Sequence, residues 1–83
     1  MKLIGIGFGN MVNSERIIAV VSPDSNPVKR IISLGKENGM LIDATQGRKT
    51  KSVIMMDSDH VVLSYLSAEQ ISAKIEDEGE ENG

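Results

Sequence analysis

The chain has 83 residues, nine Lys and Arg against twelve Asp and Glu, a formal net charge of −3 and no cysteine. A domain this short buries only about 60% of its unfolded surface, or a little more, and here neither a disulfide framework nor a thiolate metal site can staple it. The longest unbroken apolar run, Ile17 to Val21, is far short of the ~18 residues a membrane helix needs, and the start has no small-residue cleavage pattern, so the composition reads as a cytoplasmic protein without a membrane partner.

In chain order, Lys2 to Phe8 and Arg16 to Ser22 are apolar, β-branched runs separated by residues 9–14, which predicts a strand pair joined by a loop. Ser25 or Asn26 can cap a helix opened by Pro27. Val28, Ile31, Ile32 and Gly35 recur at i, i+3, i+4 and i+7, and Gly39 suits a C′ position, so the helix is expected from about Pro27 to Asn38. Three further strands follow at Met40 to Thr45, Lys49 to Met56 and Val61 to Leu66, with tight turns at 46–48 and 57–59. Ser67 and Gln70 form a capping box that opens a short C-terminal helix. The expected fold is α+β: a small, mainly antiparallel sheet of about five strands with one main helix and a short one.

Charge divides the chain. Residues 75–83 hold five acids and no base, whereas residues 1–74 hold nine bases and seven acids, a net +2. The reading is a single oligomerising domain over 1–74 and an acidic, disordered tail over 75–83. Oligomerisation is expected because Ile17-Ile18, Val20-Val21, Leu41-Ile42, Val53 to Met56 and Val61 to Leu63 are continuous rather than alternating, the pattern of strands covered on both faces. One main helix and one short one cannot cover both faces of a five-stranded sheet, so further copies of the chain are the expected partner.

Enzyme chemistry finds little support. Gly5-Ile6-Gly7-Phe8-Gly9 lacks the G-x-G-x-x-G spacing and a following helix to receive a phosphate, so its glycines read as permitting bulges or close packing. Asp57, Asp59 and the single histidine, His60, fall at a turn and read as turn chemistry rather than metal ligands. No nucleophile, base and acid constellation can be assembled around one histidine. No cofactor, metal or small-molecule substrate is implied.

What remains is a basic cluster, Arg48, Lys49 and Lys51, at the mouth of the expected hairpin, with Asp43 and Asp57 the nearest acids in sequence. Lys29 and Arg30 lie early in the helix, where the macrodipole disfavours cations by about 0.3–1 kcal/mol. Both placements make sense if these groups meet phosphate in a partner; solvent and Asp24 are the alternative. Phe8 and Tyr65 are the only aromatics, so the stacking platforms that hold single strands are scarce and duplex backbone is the better target.

The ordered set Ile6-Gly7-Phe8-Gly9-Asn10, Arg16, Val21-Ser22-Pro23, Pro27-Val28-Lys29-Arg30, Gly39 to Thr45, Gly47-Arg48-Lys49-Thr50 and Met56 to His60 resembles the RemA family of small bacterial extracellular-matrix regulators, over Leu3 to Ser67. The resemblance implies a cytoplasmic DNA-binding regulator that activates biofilm-matrix operons and assembles into closed rings with a basic outer surface. It maps a functional arginine onto Arg16, a functional proline onto Pro27, and a basic pair onto Arg48 and Lys49. The family commonly has a second arginine at Lys49, where lysine keeps the charge but loses the bidentate fork. Gln46 stands where an aromatic is expected.

The sequence therefore reads as a homo-oligomeric, ring-shaped transcriptional regulator that binds double-stranded DNA. Arg16, Arg48, Lys49 and Lys51 neutralise phosphates, Lys29 and Arg30 assist, and Pro27 shapes the helix start. An RNA-binding ring or a protein scaffold without a nucleic-acid role are the alternatives.

Overall fold

The computed structural model describes the backbone of residues 1–81 and the side chains of residues 1–77. Strand β1 (Leu3–Gly7) turns directly into β2 (Asn10–Asn13), and the two form an antiparallel sheet of their own. Phe8 and Gly9 are the two-residue connection, with φ of 56° and 78°, the sign required at both centres of a type I′ hairpin turn. Asn10 Nδ2 donates to Gly7 O at 3.1 Å and fastens the turn. Residues 9–14 are thus no loop. The expected pairing of the first two apolar runs is corrected as well: β1 pairs with β2, and the second run, β3 (Ile17–Val21), pairs antiparallel with β5 (Ser52–Met56).

Asn13 makes the link from hairpin to sheet. Its Oδ1 accepts from Glu15 N at 3.1 Å, capping a 3-10 turn over Ser14–Arg16, and from Lys2 N at 3.3 Å. After β3, Ser25 caps helix α1 (Asn26–Glu37) by accepting from Val28 N at 3.3 Å, with Pro27 in the first turn. Asn38 and Gly39 end it, Gly39 adopting the left-handed φ of 72° anticipated for a C′ glycine. The chain continues through β4 (Leu41–Asp43), β5, β6 (Val61–Ser64) and α2 (Ala68–Glu81). Ser67 and Gln70 make the expected capping box: Ser67 N donates to Gln70 Oε1 at 2.8 Å and Gln70 N to Ser67 Oγ at 3.1 Å. Residue 74, the expected domain boundary, lies within α2, and the side chains of the acidic segment from residue 78 onward lie outside the described residues.

The second sheet has the order β3-β5-β6-β4. β5 is antiparallel to both β3 and β6, while β4 runs parallel to β6. The fold is α+β as expected, with six strands divided between two sheets. Helix α1 covers one face of the larger sheet, where Val28, Val53, Val61 and Leu63 form a core with Val21, Ile31, Ile32 and Leu41 against it. Gly35 is buried and lets α1 approach β6 closely, since an added Cβ would lie 3.4 Å from Val61 Cγ2. The β1-β2 hairpin and α2 cover the opposite face through Ile4, Ile6, Ala44, Ile54, Val62 and Ile71. β5 and β6 are therefore buried on both faces, which accounts for their continuous apolar runs.

Candidate nucleic-acid interface

The basic turn is built by its neighbours. At the end of β4, Asp43 Oδ1 accepts from Thr45 N at 2.9 Å and from Thr45 Oγ1 at 2.6 Å. Those two donors hold the Asp43 carboxyl below the ordinary value of 3.8, the side-chain bond being the larger cause. Thr45 O in turn accepts from Arg48 N at 2.9 Å, closing a turn whose central residues, Gln46 and Gly47, have φ of 53° and 79°. Arg48 and Lys49 emerge exposed from this turn. Lys51 N then donates to Ser64 O at 2.9 Å, which brings the chain to the end of β6 before β5 begins.

This segment is not the mouth of a β4-β5 hairpin, as the sequence suggested. β6 lies between those strands, because β4 enters the sheet parallel to it, so residues 44–51 cross the end of β6. The tight turn expected at Asp57-Ser58-Asp59 does join neighbouring strands, as the hairpin between β5 and β6. Asp59 takes φ of 70° there, and Ser58 Oγ and His60 Nδ1 are 2.7 Å apart. Among the described residues no group of three acidic or histidine side chains could hold a metal ion.

Sheet register sorts the cations into two places. Val21 pairs with Val53 and Ser52 with Ser64, so the end of β3, the start of β5 and the end of β6 share one end of the sheet. Helix α1 begins just after β3, so Lys29 and Arg30, both exposed, belong to that end together with Arg48, Lys49 and Lys51. Pro27, exposed in the first turn of α1, sets the helix start behind them. Among the described residues none of these five cations makes an ion pair.

Arg16 is elsewhere. Ile17 pairs with Met56, which puts Arg16 beside Asp57 past the opposite end of β5, about 20 Å from Lys51 at the usual rise of an extended strand. Its Nη1 meets Asp57 Oδ2 at 3.0 Å, and Asp57 N donates to Arg16 O at 2.9 Å. The guanidinium pKa is raised by the hydrogen bond to Asp57 and then by its charge. Sequence reasoning missed this partner, 41 residues away, and also the Asp43-Thr45 clamp, although Asp-x-Thr is a recognisable local turn pattern.

The two aromatics, apart in sequence, meet at the same end of the sheet as the five cations. The ring centroids of Phe8 and Tyr65 are 4.8 Å apart and tilted by 39°. Tyr65 directly follows Ser64, whose carbonyl receives Lys51 N–H. Across the described residues, no helix is long and apolar enough to span a membrane.

Comparison with known proteins adds identity to this geometry. A protein of Clostridium kluyveri described as "Putative regulatory protein" is 54% identical over 82 residues, covering 99% of this chain and 89% of its own length. Relatives of the same description from Dictyoglomus turgidum and Finegoldia magna are 60% and 58% identical over 76 residues, covering 92% of this chain and 89% and 92% of their own. The names point to a regulatory role. Residues 3–75 match the RemA-like family, whose description is "Extracellular matrix regulatory protein A-like", and the chain belongs to that family.

Proposed function

We propose that this protein is a cytoplasmic transcriptional regulator of extracellular-matrix genes that binds double-stranded DNA as a ring-shaped homo-oligomer. The observation that carries the reading is the gathering of Lys29, Arg30, Arg48, Lys49 and Lys51, exposed and without ion-pair partners among the described residues, at one end of the sheet. Free cations of this kind neutralise phosphate without the desolvation a buried charge would need, and repetition around an oligomer turns a modest patch into a long one. Family membership supports the regulatory role. Arg16, one strand length away, adds a contact at the other end of each subunit once Asp57 yields to phosphate.

The test is binding to a labelled duplex by fluorescence anisotropy between about 50 and 200 mM salt. Log affinity should fall linearly with log salt, with a slope of about −0.9 per phosphate neutralised. Arg48→Ala should flatten that slope by about one contact and leave sedimentation and melting temperature nearly unchanged. Absence of duplex binding at the lowest salt, or outcompetition by single-stranded RNA, would sink the duplex reading.

A further inference from the structure

We propose that Phe8 is the base-contacting residue of this surface: an apolar wedge, carried on the tip of the β1-β2 ribbon, that enters a groove of duplex DNA and loosens one base step while the neighbouring cations hold the phosphates. The proposal rests on the duplex-binding reading above and adds to it a residue that touches bases rather than backbone.

Three observations meet at this tip. The first is conformational. Phe8 occupies the left-handed region, φ 56°, at a turn position where Asn or Gly is preferred and a bulky side chain is a genuine outlier. Folding alone would favour Asn-Gly here, and strain of this kind collects where a side chain has another task. The second is support. Phe8 is 44% exposed, yet it rests on Tyr65, and a Cβ on Gly7 (φ 108°) would collide with the Tyr65 ring. Backbone and Tyr65 are shaped to each other, so the phenyl ring is held from behind while much of it stays in solvent. The third is placement. Ser64 Oγ donates to Ile6 O at 2.9 Å and Ser64 O accepts from Lys51 N, so the ribbon tip and the basic turn are tied to the same residue.

These features match the requirements of a wedge. A two-stranded ribbon is slim enough to enter a groove, and apolar side chains inserted between base pairs partly unstack a step. Cations on phosphates fix position but carry no sequence information, whereas a wedge favours the steps that yield most easily, pyrimidine-purine steps such as TA. An otherwise purely electrostatic surface thereby gains a preference among sequences.

The experiment uses the full chain and a mixed-sequence duplex of about four helical turns in which 2-aminopurine replaces adenine at TA steps. Binding should raise 2-aminopurine fluorescence, which reports unstacking. Phe8→Asn, which creates the preferred turn pair, should keep the fold and the oligomer by sedimentation. It should also abolish the fluorescence rise and weaken binding by roughly 5- to 150-fold, the range found when one stacked aromatic is removed. The salt slope should stay unchanged, because no phosphate contact is lost. Phe8→Trp should restore both signals. A wild-type protein that binds with a steep salt slope but no fluorescence rise overturns the wedge and leaves the duplex reading standing. Unchanged binding and fluorescence in Phe8→Asn, or a smaller assembly in that variant, also overturns it, the latter by making Phe8 a subunit contact. No duplex binding by the wild type removes the duplex reading and the wedge with it.

Discussion

Asp43 shows how a residue with no charge partner in sequence can organise a basic site. Its carboxylate is favoured in the folded state by the two Thr45 donors, so its folded pKa is lower than in the unfolded chain. A depressed acid contributes stability that is full above the ordinary value and is lost as pH falls through the lowered one. Thr45→Val should therefore be less stable than wild type at about pH 5, and the gap should narrow toward about pH 2, as followed by urea unfolding across that range. A gap independent of pH would mean that the clamp does not act through this carboxylate. Asp57 makes a second case. Asp57→Asn keeps the backbone bond to Arg16 O but removes the competing charge, so duplex affinity should rise a few-fold and the salt slope steepen by about one contact. Unchanged binding would place Arg16 away from DNA. At this scale the cations were legible because charge is written in the residue itself. Which cation is free and which is engaged was not, because Arg16 and Asp57 meet only after β3 has paired with β5.

Among the elements, α1 and the capping box of α2 were the easiest to foresee, since caps and 3.6-residue periodicity act within a few residues. β2 was hidden because four residues that begin and end with asparagine offer no alternation, and it exists through its turn geometry and through β1. The hairpin is then secured to the sheet by Ser64, fully buried, whose Oγ donates to Ile6 O and accepts from Leu66 N at 3.1 Å. Ser64→Ala leaves both backbone groups without that partner and should cost about 1–3 kcal/mol in denaturant unfolding. Loss of less than about 0.5 kcal/mol, the range of an ordinary surface change, would mean that the serine does not tie the two sheets together.

At the scale of the molecule, the continuous apolar runs divide into two groups. Those of β5 and β6 are satisfied within the subunit, whereas the outer strands β3 and β4 leave Ile18 68% and Ile42 49% exposed. Exposed branched side chains on both edge strands of a small domain fit contacts between copies. Ile18→Lys should accordingly sediment as a smaller species with a lower melting temperature at micromolar concentration. A variant that keeps the wild-type size would mean that β3 makes no contact between copies.

From residue order alone came the α+β class, the main helix with its caps, the central strands, the basic turn and the family likeness, because each depends on spacing over a dozen residues or fewer or on an ordered set of short motifs. Tertiary structure alone decided that β4 lies parallel to β6, that five cations gather at one end of the sheet while Arg16 faces Asp57 at the other, and that Phe8 rests on Tyr65. Those outcomes depend on strand register between segments far apart in the chain, where pairing is chosen by which faces can be buried together rather than by any local preference.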